Sequence, residues 1–176
     1  DAGIRDVRMV KTADAPSIQS DVGFRYEIKH EINAGEAWLP LDQESKGTQT
    51  LFRLGMPLLG ALQGGRLVIV DELESSLHPN LAEYIVHQFN DPNINKKNAQ
   101  LIFSTHDTNL LGTLSGQPAL RRDQIWLTEK DLSGGTNLYP LTDFKPRNDE
   151  NIERGYVQGR YGAVPILAGL SYDEEP

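Results

Sequence analysis

Two short apolar runs most constrain what this chain can fold into. Leu67 to Val70, "LVIV", leads straight into Asp71 and Glu72, and "AQLIFST", Ala99 to Thr105, leads into His106 and Asp107. Continuous apolar stretches of this length are expected as strands covered on both faces. Between them, "PNLAEYIVHQFN" has helical spacing, with Pro79 suited to a first turn and Leu81, Ile85 and Phe89 inward. "NDPNINKKN" is expected as an exposed polar turn. Strand, helix, strand over this length predicts a βαβ unit with parallel strands. Asp71, Glu72 and His106 then emerge at one sheet edge, where α/β sheets bind ligands.

The flanking segments build on that unit. "IRDVRMV" alternates, and "GFRYEIKHEI" alternates more clearly, with Phe24, Tyr26 and Ile28 on one face and Arg25, Glu27 and Lys29 on the other. Both read as antiparallel strands joined by a loop, "KTADAPSIQSD". From Thr48, Leu51, Leu54, Leu58, Leu59 and Leu62 fall at helical spacing; Pro57 is expected to kink this helix, and Gly64 or Gly65 to cap it. "QIWLTEK" and "TNLYPLTDF" flank "DLSGG" as a hairpin, and "NDENIERGYVQGRYG" reads as a last helix with a loose end. "KPRNDENIERGYVQGRYG", with Arg147, Arg154, Arg160, Tyr156 and Tyr161, could dock a partner or touch nucleic acid, but the acids between its arginines favour packing back on the body. The predicted fold class is α/β: a mainly parallel sheet with flanking helices, plus antiparallel N-terminal strands and a late hairpin. One domain over 1–176 is expected, with a strand lead-in at 1–36, a central lobe at 37–145, and a C-terminal helix and tail at 146–176.

Composition narrows the function classes. A net charge of −8 weighs against charge-driven nucleic-acid binding. No cysteine is present, which removes disulfides and thiolate metal sites. The apolar runs fall far short of a membrane span, no signal peptide is visible, and a cytoplasmic location is expected. The chain opens on "DAGIRDVRMV", without an initiator Met and directly on alternating residues, so it reads as a fragment or domain.

Three pieces carry candidate chemistry, and each also has a plain structural reading. An acid pair such as Asp71 and Glu72 can cap a strand end, or can divide into an Mg²⁺ ligand and a base for an attacking water. His106 in "STHD" can be a solvated loop residue, or can hydrogen-bond a phosphate oxygen beside those acids. "ESKGT", Glu44 to Thr48, can be a simple helix cap through Ser45 or Thr48, or an anion site of free first-turn N–H groups with Lys46 adding charge. His87 reads as an exposed helix residue, and its spacing from His78 does not suit a metal pair.

In this order, the three pieces resemble the P-loop NTPases of the ABC-type ATPase heads, and within them the RecF-like and OLD-like branch that includes stand-alone ATP-binding proteins of anti-phage systems. "ESKGT" resembles the signature loop, "LVIVDE" the Walker B strand, "ESSLHP" the D-loop with the branch's Leu-His-Pro ending, and "STHD" the switch-histidine loop. The match runs from about Gln43 to Leu111, and "NIERGYVQGRYGAVP" is more weakly similar to the end of such defence ATPases. The resemblance implies that Asp71 binds Mg²⁺, Glu72 is the catalytic base and His106 senses the γ-phosphate. It implies that Ser45, Lys46, Gly47 and Thr48 touch ATP held by a second head, with Ser75, Ser76 and His78 on the dimer seam. The cofactors implied are ATP and Mg²⁺.

Two departures qualify it. Glu44 and Lys46 stand where transporters have Leu and Gly, and no G-x-x-x-x-G-K-[ST] occurs anywhere. The chain is therefore expected to be the C-terminal part of a head, an ATPase only when completed by an N-terminal part bearing the phosphate loop. Expected partners are that N-terminal part, a second head and a nuclease or toxin effector. The alternatives are a nucleotide-responsive scaffold with little turnover, and a RecF-like DNA repair ATPase.

Overall fold

A computed structural model describes residues 4–11, 24–32, 35–112, 116–131 and 133–165. Most of the loop expected before Phe24, and the tail after residue 165, lie outside these residues.

Strands β1 (Ile4–Lys11), β2 (Phe24–Ile32) and β3 (Gly35–Pro40) form an antiparallel sheet in that order. On one face Ile28 is buried, and the Tyr26 ring centre lies 4.9 Å from that of Phe52 in the following helix. The other face carries Arg8, Arg25, Glu27 and Lys29, charged as alternation predicts, together with Trp38, and one of the charged residues is buried. Glu27 is only 5% exposed. It sits opposite Arg8 in register, and its carboxylate takes ion pairs from Arg8 (2.6 Å) and Arg25 (2.8 Å). The Arg8 hydrogen bond, more than any other influence, holds the Glu27 carboxyl below its ordinary value. Arg8 also stacks 4.1 Å from the Trp38 ring centre, so charge and aromatic cover together make the burial tolerable.

Helix α1 (Lys46–Gly64) runs unbroken across Pro57 and ends where Gly65, at φ 66°, caps it in the left-handed region. A Cβ on Gly65 would meet the Lys97 carbonyl oxygen at 2.6 Å, so close approach as well as backbone angle requires glycine here. Strand β4 (Leu67–Val70), helix α2 (Pro79–Asn90) and strand β5 (Gln100–Phe103) form the expected βαβ unit. The two strands pair in parallel from Leu67 opposite Gln100 to Val70 opposite Phe103. Leu54 and Leu58 of α1 and Ala82, Ile85 and Val86 of α2 close a core with Val70, Leu73, Leu77 and Leu110.

Three expectations are corrected. Leu67, Ile69 and Ile102 are 50%, 71% and 57% exposed, because α1 and α2 both pack on the Val68, Val70, Leu101 and Phe103 side; the parallel pair is covered on one face, not two. Among the described residues β4–β5 is the only parallel pairing, so the strands do not form the mainly parallel sheet expected. The polar turn after α2 is not wholly exposed. Asn95 is buried, donates to the Phe89 and Ala99 carbonyls (both 2.8 Å) and accepts from the Ala99 N–H (2.7 Å). One amide thereby satisfies three main-chain groups that the turn leaves unpaired.

The last part is the expected hairpin of β6 (Trp126–Lys130) and β7 (Thr136–Pro140), followed by a short helix α3 (Ile152–Val157). Ile125, Leu127, Leu141, Ile152 and Tyr161 form a second core, and Leu120 packs against both. The described part of the C-terminal segment packs back on the hairpin, where the Tyr139 hydroxyl donates to the Tyr161 carbonyl (3.0 Å). Tyr161 is buried and donates to Glu150 (2.5 Å), which also pairs with Arg160 (2.7 Å).

Candidate functional site

β4 and β5 deliver their loops to one edge of the sheet, and Ser104 fastens the two together. Its N–H donates to the Val70 carbonyl (3.1 Å), and its carbonyl accepts from Leu73 N–H (3.1 Å). Its hydroxyl donates to Asp71 Oδ1 and accepts from the Glu72 N–H (2.8 Å). Both acids of the "DE" pair are thus oriented by one serine on the neighbouring strand. Ser104 stands within "STHD", and a hydroxyl at a strand end beside an acid-bearing strand is the sequence signal that marks it.

Glu72 has φ 50°, a left-handed backbone at a residue with a Cβ. Such a conformation costs on the order of 1 kcal/mol or more, and it persists here because the Ser104 contacts hold it. It takes the backbone out of the extended conformation just past the end of β4. His106 Nε2 lies 3.9 Å from Glu72 Oε1, with side chains 85% and 55% exposed. At that separation and exposure the contact adds little to stability. It does place an acid and an imidazole around open space at the sheet edge, within reach of a common ligand.

The "ESKGT" segment opens α1 as expected. Ser45 is the N-cap: its hydroxyl accepts from the Thr48 N–H (3.1 Å) and lies 2.9 Å from the Thr48 hydroxyl. Glu44 is bound to His30 of β2 at 2.6 Å, which gives this largely buried carboxylate a partner. Gly47 packs on the turn after Glu72, where a Cβ would stand 2.9 Å from the Ser76 carbonyl oxygen. The first turn of α1 and the segment Ser75–Ser76 are therefore neighbours within one chain. Ser75, Ser76 and Lys46 are exposed, and Ser76 has φ 61°. His78 caps α2 by accepting the Asn80 N–H (3.2 Å), and His87 is a half-buried helix residue, not the exposed one expected, with Glu83 at 3.6 Å.

No group of three or more His, Asp or Glu residues among those described could hold a metal ion alone. Magnesium usually takes one or two carboxylates and completes its shell with water and phosphate oxygens. Asp71, exposed at the strand end with one oxygen fixed by Ser104, fits that partial role. Among the described residues no helix is long and apolar enough to cross a membrane. A family model described as "AAA domain, putative AbiEii toxin, Type IV TA system" matches residues 5–112, more than half of the chain. No curated protein and no solved structure matches it.

Proposed function

We propose, from the premise that this chain belongs to that AAA-domain family of P-loop ATPase type, that it binds and hydrolyses ATP as part of a head that dimerises around the nucleotide. The observation carrying this reading is the Ser104 clasp, which orients Asp71 and Glu72 separately and leaves His106 facing Glu72. Asp71 would hold Mg²⁺, which when bound offsets the charge of the phosphates. Glu72 would take a proton from the attacking water as oxygen bonds to the γ-phosphorus and the bond to the β-phosphate oxygen breaks. His106 would hydrogen-bond a γ-phosphate oxygen. Ser45, Lys46, Gly47 and Thr48 would face the nucleotide of a second head. The Ser45 oxygen is already used as a cap, so that contact would use its hydroxyl hydrogen. Ser75, Ser76 and His78 would lie on the seam.

The α- and β-phosphates need a cradle that these residues do not form. A further part of the head would supply it, and the bare apolar face of Leu67, Ile69 and Ile102 supports such an addition. A parallel pair is ordinarily covered on both sides. We place the protein with the RecF-like and OLD-like heads, acting as the ATPase of an anti-phage system with a separate effector. "SSLHP" and "STHD" support this placement.

Turnover by the intact protein, wild type against Glu72→Gln, tests the enzyme reading. Loss of a positioned base is expected to slow hydrolysis about 100-fold or more. Equal rates would leave only a nucleotide-responsive scaffold.

A further inference from the structure

Glu74 has no part in the roles above, yet its carboxylate reaches across the site. Glu74 Oε1 accepts the backbone N–H of His106 at 2.8 Å, and the neighbouring Thr105 side chain helps to lower the carboxyl. Its second oxygen, Oε2, is buried without a hydrogen-bond partner. Burial works to raise the Glu74 carboxyl, but the Thr105 side chain and the His106 N–H prevail and hold it below its ordinary value. The donor that reaches the carboxylate thus comes from the histidine's own loop.

The connection runs in both directions along the chain. Glu74 lies in the tight turn where Ser75 N–H bonds the Glu72 carbonyl (2.8 Å) and Leu77 N–H bonds the Glu74 carbonyl (2.8 Å). That turn carries Ser76, against which Gly47 packs. His106 itself is highly exposed, so side-chain packing does not set its position. The main-chain anchor at its own N–H is what fixes where the ring starts.

We propose that Glu74 is a positioning residue that locks the His106 loop to the turn following Glu72, so that the imidazole stands at a fixed distance from the base. This rests on the ATPase reading. Its signature is an effect on the chemical step with little effect on ATP affinity, because Glu74 points at a backbone amide and not at the nucleotide space.

The test compares Glu74→Ala, Glu74→Gln and Thr105→Val in the intact protein with Mg·ATP. Misplacing the His106 loop is expected to lower kcat about tenfold or more in Glu74→Ala, with KM within about twofold. Glu74→Gln keeps an oxygen acceptor in the same place and is expected to stay within about threefold of wild type; Thr105→Val should fall between. Amide hydrogen exchange gives a second readout that needs no turnover. The His106 amide should lose protection in Glu74→Ala and keep it in Glu74→Gln, while Ile85 and Val86 amides stay unchanged in both. A Glu74→Gln protein as impaired as Glu74→Ala, or an unchanged His106 amide in Glu74→Ala, overturns the proposal. If Glu74→Ala does not fold, Glu74→Gln and Thr105→Val decide by the same measures. Absence of turnover in the wild type would defeat the ATPase reading alone, since the exchange experiment still decides the anchor.

Discussion

Ser104 shows how one side chain can organise a site that the sequence assigns to others. Asp71, Glu72 and His106 are legible as candidates because acids and a histidine follow apolar runs of strand length. Their relative placement is not legible, because it depends on a hydroxyl 33 residues from Asp71 that meets it only once β4 and β5 pair. Replacing Ser104 by Ala removes the acceptor for Glu72 N–H and the donor to Asp71. Stability is expected to fall by about 1 kcal/mol, and kcat by about tenfold or more, as both acids lose their orientation. Denaturant unfolding and steady-state turnover on the same preparations separate the two effects. A kcat loss no larger than the stability loss explains would remove Ser104 from the site.

The start of α1 holds two readings at once. Ser45 is a helix cap in the structure, and the resemblance makes it a contact to nucleotide in a second head. Ser→Ala at an N-cap costs about 0.5–2 kcal/mol, whereas Ser→Gly costs only a few tenths, since glycine suits the cap backbone. Ser45→Gly is therefore expected to unfold within a few tenths of a kcal/mol of wild type while losing ATP-driven dimerisation, measured by sedimentation. Undiminished dimerisation would reduce Ser45 to a cap. Elsewhere, element identity was readable from periodicity: the β1–β2 pairing, α1, α2, the β4–β5 pair and the late hairpin all follow the apolar pattern. Asn95 was not, since nothing in "NDPNINKKN" distinguishes the asparagine that turns inward from the three that do not; burial and the approach of Phe89 and Ala99 make the difference.

Across the whole molecule, two cores meet at Leu120, and the chain after α3 is closed onto the second by Tyr161. Burial, then the hydrogen bond to Glu150, pushes the Tyr161 phenol up from 10.0 to about 12. A folded value above the unfolded one means the neutral phenol's contribution is complete below pH 10 and is lost as pH rises toward 12. Glu150 is shifted the opposite way, chiefly by the Tyr161 hydrogen bond, so its contribution holds above the usual carboxylate range and is lost only on acidification. Alkaline unfolding followed by circular dichroism should show a step between pH 10 and 12 that Tyr161→Phe abolishes. A step unchanged in that variant would assign it to another group. What the sequence determined by itself was local: strand, helix and turn from apolar period and glycine placement, and a short set of chemically capable residues. Only the tertiary structure decided which sheet face stays bare, which carboxylates are buried or clasped, and which backbone amide anchors His106. Those outcomes depend on residues far apart in the chain meeting at hydrogen-bond distance, and no local pattern encodes that meeting.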